Sequence, residues 1–178
     1  MTKLLKSVIL ALFFCVCALL PVFPENPVQI TILDKDTLQA SFELPCSFDR
    51  LWNLITNYEN SPNVMPNIKK ATIIFSNHTP NINVDHVTSI AGAGPFTITY
   101  TTKITAIKSN GLITWEQIEG SFTKNQGSWH ITAPSGKLVR VVYTASVSHR
   151  FMPDSIREML VKKSIPDLYE SLKKHTKD

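Results

Sequence analysis

The sequence predicts an α+β fold: a curved, seven-stranded antiparallel sheet wrapped around a long C-terminal helix, with two short helices after the first strand. Three observations predict it. Residues 68–151 alternate with period two through six stretches separated by turn signals; residues 47–66 break that pattern with helical spacing and prolines; and the chain closes on a helical apolar stripe. At 178 residues, 43% hydrophobic and 18% charged, the composition is that of one globular domain with a short appendage.

The appendage comes first. "MTKLLKSVILALFFCVCALLPVFPENP" sets Lys3 and Lys6 before an uncharged apolar run over residues 8–20, the order found in a secretory signal. The run is short against the roughly 20 residues of a bilayer-spanning helix, and Pro21 and Pro24 follow it. Residues 1–24 are therefore expected to be a signal peptide, and the protein to be exported, periplasmic or secreted. The alternative is an N-terminal membrane anchor, because Cys17, Leu19 and Leu20 stand where small residues would mark cleavage. Losing the leader removes Cys15 and Cys17 and leaves Cys46, so no internal disulfide framework can form. Without Lys3 and Lys6 the net charge falls from +4 to about +2, a weak field that argues against nucleic acid as a partner.

The first strand is "DTLQASFELP", in which Leu38, Ala40, Phe42 and Leu44 share one face and Gln39, Ser41 and Glu43 the other. In "CSFDRLWNLITNYENSPNVMPN", Ser47 is placed to cap a helix whose Phe48, Leu51, Trp52 and Ile55 recur at helical spacing. Pro62 and Pro66 limit a second helix to a turn or two. Six further strands follow near "ATIIFS", "NVDHVTSI", "PFTITYTTKITAI", "LITWEQIE", "GSWHITA" and "LVRVVYTASVSHRF", joined by "NHTPN", "AGAGP", "KSNG", "TKNQG" and "PSGK". An antiparallel meander is the economical arrangement. In "MPDSIREMLVKKSIPDLYESLKK", Ile156, Met159, Leu160, Ile165, Leu168 and Leu172 form the stripe of the closing helix, which Pro166 is expected to kink or divide.

Two of these stretches, "FELPCSFDRLWNLITNYENSPNVMPNIKKATII" and "GSFTKNQGSWHITAPSGKLVRVVY", together with the closing helix, are similar to motifs of a known family. Over residues 36–174 the chain resembles the START-like, helix-grip (SRPBCC) superfamily, in its polyketide cyclase/dehydrase and coenzyme Q-binding branch. The resemblance implies that residues 30–178 form a ligand-binding domain with a cavity between sheet and terminal helix. Where that family often carries Asp before the Tyr that ends the first helix, this chain has Asn57 before Tyr58. A role for that carboxylate is not carried over.

No catalytic signature stands out. The Gly-x-Ser-x-Gly elbow of nucleophilic hydrolases is absent, and the five histidines show no zinc-like spacing. Cys46 reads as a structural cysteine at a strand end. "AGAGP" precedes a strand rather than a helix, so it offers no phosphate cradle. No catalytic residue, metal or cofactor is therefore expected. If Phe96, Ile98 and Tyr100 face inward, strand alternation turns inward Val84, His86 and Thr88, then Trp115 and Gln117, then Trp129 and Ile131, then Val141, Tyr143, Val147 and His149. A buried Tyr or His can simply satisfy its own hydrogen bonds, so each of these alone reads first as packing. As a set, and with the resemblance, His86, Tyr100, Trp115, Gln117, Tyr143, His149 and Met159 are the expected ligand-binding residues.

The expected partner is a hydrophobic small molecule, a lipid, isoprenoid quinone or polyketide, bound by a monomer with at most transient membrane contact. The alternative is a cyclase or dehydratase with His86, Tyr100 or Tyr143 as acid and base. A third class is a partner-binding module that uses the open sheet edge or the apolar bowl for protein rather than lipid.

Overall fold

The structure, a computed structural model, describes residues 27–93, 96–149 and 154–177. The leader expected over residues 1–24 lies outside them. In chain order the elements are β1 (Val28–Ile32), β2 (Thr37–Leu44), α1 (Phe48–Thr56), a 3₁₀ turn (Tyr58–Asn60), α2 (Ser61–Val64), β3 (Ile68–His78) and β4 (Asn83–Ala93). They continue with β5 (Phe96–Ile107), a second 3₁₀ turn (Lys108–Asn110), β6 (Leu112–Gly120), β7 (Lys124–Ser135), β8 (Leu138–Ser148) and α3 (Asp154–Thr176). The strands form one curved antiparallel sheet in the order β1-β2-β8-β7-β6-β5-β4-β3. It is the α+β, helix-grip arrangement that the sequence predicts, with eight strands rather than seven.

The additional strand is β1, paired with β2 from Val28↔Phe42 to Ile32↔Leu38. Its five residues alternate, but only Val28 is buried and Ile32 is 60% exposed. So short an edge strand, close to the expected leader, carries too little periodicity to separate it from a linker. The opposite edge, β3, is interrupted at two places in its register with β4, between Ile68 and Lys70 and between Ile73 and Phe75. Such irregularities twist an edge away from further pairing.

Local chemistry explains the helices. Ser47 caps α1, its hydroxyl accepting from the Arg50 N–H at 3.3 Å, while Leu51, Trp52 and Ile55 turn into the core. Pro62 sits in the single turn of α2, and Pro66 follows that turn. α3 is not divided at Pro166. Ile165, Leu168, Tyr169 and Leu172 flank that proline and are all buried, so packing against the sheet holds the helix across the missing hydrogen bond. Tyr169 meets Phe42 edge-on at 5.6 Å. Leu44, Leu51, Ile131, Val139, Val141 and Leu172, all at most 2% exposed, form the tightest part of the core.

Candidate functional site

Between the concave sheet face and the terminal helix the packing stops short, leaving a cavity of about 330 Å³. That is near the lower end of small-molecule sites, roughly 300–1,000 Å³. Register decides which side chains reach it, because residues directly opposed in antiparallel strands share a face. Ser89 lies opposite Tyr100, Val87 opposite Thr102, Ile104 opposite Trp115, and Trp129 opposite Tyr143. All of these line the cavity. Tyr58, Ser61, Asn67 and Ile55 close it from the α1–β3 segment, and Ser164, Ile165 and Leu168 from α3.

Two glycines shape the sheet wall. A methyl group at Gly127 would overlap the Trp115 ring and the Thr144 carbonyl oxygen, so the indole lies flat over bare backbone. Gly120, opposite Tyr100 with φ of +137°, would bring a methyl group to 2.7 Å from the Tyr100 Cβ. Over this floor Trp115 stacks on Tyr143 at 5.6 Å, Trp129 tilts against the same ring at 4.6 Å, and Tyr100 meets Phe122 edge-on at 5.4 Å. The result is an aromatic wall that carries the Tyr100 and Tyr143 hydroxyls.

The described lining of the cavity carries no formal charge. Among its described lining residues there is no Asp, Glu, Lys, Arg or His. Burial pushes the phenols of Tyr58, Tyr100 and Tyr143 above their ordinary value of 10.0. The Asp85 charge adds to the effect at Tyr58 and Tyr100 adds to it at Tyr143, whereas a hydrogen bond with the Ser89 side chain partly offsets it at Tyr100. All three are hydrogen-bond donors at neutral pH. Asp85 is buried and bridges Ser76 Oγ at 2.5 Å and His78 Nε2 at 2.9 Å. Serine and histidine thus meet the carboxylate separately, an arrangement unlike a nucleophile activated by a base. Asn67 donates to Ser164 Oγ at 2.8 Å, and Ser171 to the Val64 carbonyl at 2.7 Å, tying the α1–β3 segment to α3 beside the cavity.

Residues 44–173 match the family described as polyketide cyclase/dehydrase and lipid transport. The chain belongs to that family. Its fold is similar to that of the Zhui aromatase/cyclase from Streptomyces sp. R1128, at 15% identity and a TM-score of 0.64 over 83% of this chain and 93% of that one. It is likewise similar to a START superfamily protein from Mycobacterium smegmatis, at 15% identity and a TM-score of 0.66 over 79% and 96% of the two chains. The STAR-related lipid transfer protein (a fragment) from Xanthomonas axonopodis gives 12% identity and a TM-score of 0.66 over 88% and 97%. At these identities the likeness is one of fold. No curated protein sequence matches the chain.

Within this polyketide cyclase-family fold the residues expected at the site divide sharply. Tyr100, Trp115 and Tyr143 line the cavity. Gln117 shares their face, opposite Thr102, but its amide donates to the Phe122 carbonyl at 3.0 Å and it stays behind the wall, its buried Oε1 without a partner among the described residues. His149 follows the end of β8, edge-on to Phe122 at 6.0 Å, and does not reach the cavity. The side chain of Met159 lies outside the described residues.

His86 corrects the expected face of β4. It lies opposite Lys103 on the convex side and packs on Phe75 at 4.7 Å, while Asp85, Val87 and Ser89 turn inward with Tyr100 and Thr102. Val84 and Thr88 go outward with His86. In "NVDHVTSI" the apolar residues Val84, Val87 and Ile90 recur every third position, so both faces carry apolar groups and the alternation is ambiguous. Asp85 disguised the inner face further, since its partners Ser76 and His78 come from another strand. Sequence reasoning also passed over Tyr58, Asn67, Ser89 and Asn125, whose small or polar side chains gave no sign that distant elements bring them together.

Proposed function

We propose that this protein binds and carries an apolar small molecule in the cavity between the sheet and α3, outside the cytoplasm, without changing its covalent bonds. The observation that carries this reading is the cavity itself. A fold that packs Leu44, Leu51 and Leu172 to zero exposure leaves about 330 Å³ open beside them, walled by aromatic rings and neutral hydroxyls. Membership of a family described by lipid transport as well as cyclisation is consistent with it. Burying ten methylenes at about 0.8 kcal/mol each supplies roughly 8 kcal/mol, near micromolar affinity before ordering costs.

The cyclase alternative is weakened by the same geometry. His86 is on the convex face, and the phenols that remain are held protonated, as donors rather than bases. The leader carries the export part of the reading, with the protein acting as a monomer that loads at a membrane surface. Among the described residues no helix is long and apolar enough to cross a membrane.

Native mass spectrometry of protein purified from its own host tests both parts. A releasable small molecule together with a polypeptide lacking the leader is expected. A polypeptide mass alone, with nothing recovered by organic extraction, would sink the carrier reading; a retained leader would replace export with anchoring.

A further inference from the structure

We infer that the cavity selects uncharged ligands: an apolar molecule bearing a neutral hydrogen-bond acceptor, such as a ketone, ester or ether oxygen, is taken, and a carboxylate or phosphate is refused. This rests on the ligand-binding reading above and names the chemistry that the site selects. Among the described lining residues no Lys, Arg or His is present to pair an anion. The charge next to the wall is negative: Asp85, 4% exposed, lies on the inward face of β4 with Val87 and Ser89 and acts on the Tyr58 phenol. Its hydrogen-bond partner His78 has a side chain 54% exposed and stands at the end of β3, away from the cavity lining. An anion entering the cavity would lose its water, meet no cation among the described lining residues and feel a like charge.

A neutral acceptor meets the opposite conditions. Tyr58 and Tyr143 both line the cavity, and neither hydroxyl has a hydrogen-bond partner among the described residues. Each keeps a proton to donate. The rings beneath them, Trp115 and Trp129, supply apolar contact on the same wall. A volume of about 330 Å³ further restricts the ligand to a single chain or a few rings, too small to enclose a two-chain lipid.

The test uses the protein as its host produces it, with 1-aminoanthracene as a fluorescent probe of the cavity. Decanoate, methyl decanoate and decane compete for the probe at about pH 8, where the acid is ionised. Methyl decanoate is expected to displace the probe at least about tenfold more effectively than decanoate. The gap should close as the pH is lowered and the acid becomes neutral. Tyr143→Phe should weaken the ester and leave decane unchanged; if that variant does not fold, Tyr58→Phe serves. Equal displacement by decanoate and its ester at pH 8 would overturn the charge rule while leaving a ligand site in place. Equal weakening of ester and decane would overturn the acceptor role of the phenols. If the probe does not bind and no competitor raises the melting temperature, the carrier reading itself falls.

Discussion

The two ends of the gap between sheet and terminal helix belong to one sheet and one helix but are filled in opposite ways. At the end formed by β1, β2, β8 and the C-terminal half of α3, aliphatic side chains such as Leu44, Val139, Val141 and Leu172 interdigitate to zero exposure. At the end formed by β4 to β7 and the α1–β3 segment, rigid rings and short hydroxyl side chains face one another across open space. Compact leucine and valine side chains interdigitate to crystal-like density, whereas flat rings, Trp115 among them resting on the bare backbone of Gly127, hold a wall in place without closing on the other side. The difference teaches that this fold dictates a gap, and that side-chain choice decides whether the gap becomes core or site.

The largest effect that tests this contrast comes from truncating both ends. Leu172→Ala should cost about 2–5 kcal/mol and lower the denaturation midpoint without changing the m-value, because a full set of contacts is lost. Ile104→Ala, whose side chain already borders the cavity, should cost clearly less. Equal losses at the two positions, measured by chemical denaturation, would mean that the cavity end is packed as tightly as the core.

Overpacking the floor comes next. Gly127→Ala forces the Trp115 ring off the strand and presses on the Thr144 carbonyl, for an expected cost of about 1–3 kcal/mol. Because the displaced indole moves into the open space, probe binding should fall further than stability does. A variant that binds normally would show that Trp115 is not the wall. Ala91→Leu should reverse the sign: it fills space beside Ile68, leaves stability unchanged or raises it by up to about 2 kcal/mol, and abolishes binding. Lost stability without lost binding would contradict an open cavity at that position.

Legibility in the sequence followed the same division. The strong alternation of β2 and β5, the Ser47 cap and, in α3, the spacing of Ile165, Leu168 and Leu172, all buried, state the fold locally. β1 escaped because a single buried Val28 is not a pattern. At the site, Tyr100, Trp115 and Tyr143 were readable, as large residues on an unbroken alternation. His86 was misplaced where Val84, Val87 and Ile90 break it, and Asn67 and Ser164 are 97 residues apart and meet only through the fold. The apolar core is written in periodicity; the polar rim is written in register, which a single strand does not carry.

The smallest effect at neutral pH, and one confined to alkali, concerns the phenols of the cavity end. Tyr58, Tyr100 and Tyr143 have folded values above the ordinary 10.0 because burial disfavours the phenolate. Below about pH 10 the phenols are protonated in both the folded and the unfolded chain, so this contribution to stability is fully present and flat. As the pH rises past that point the unfolded chain gives up its protons first, and stability falls until the folded values are passed. Stability measured against pH should therefore be level through neutrality and drop in alkali, with the ultraviolet signal of these phenolates growing only as the circular dichroism of the fold is lost. Tyr143→Phe should make the alkaline drop shallower, whereas substitutions at Leu172 should lower the whole curve without changing its slope. Smooth ionisation near 10 with the fold intact would mean that the cavity end is open to bulk water, and the distinction between a sealed core and a sequestered site would then be lost.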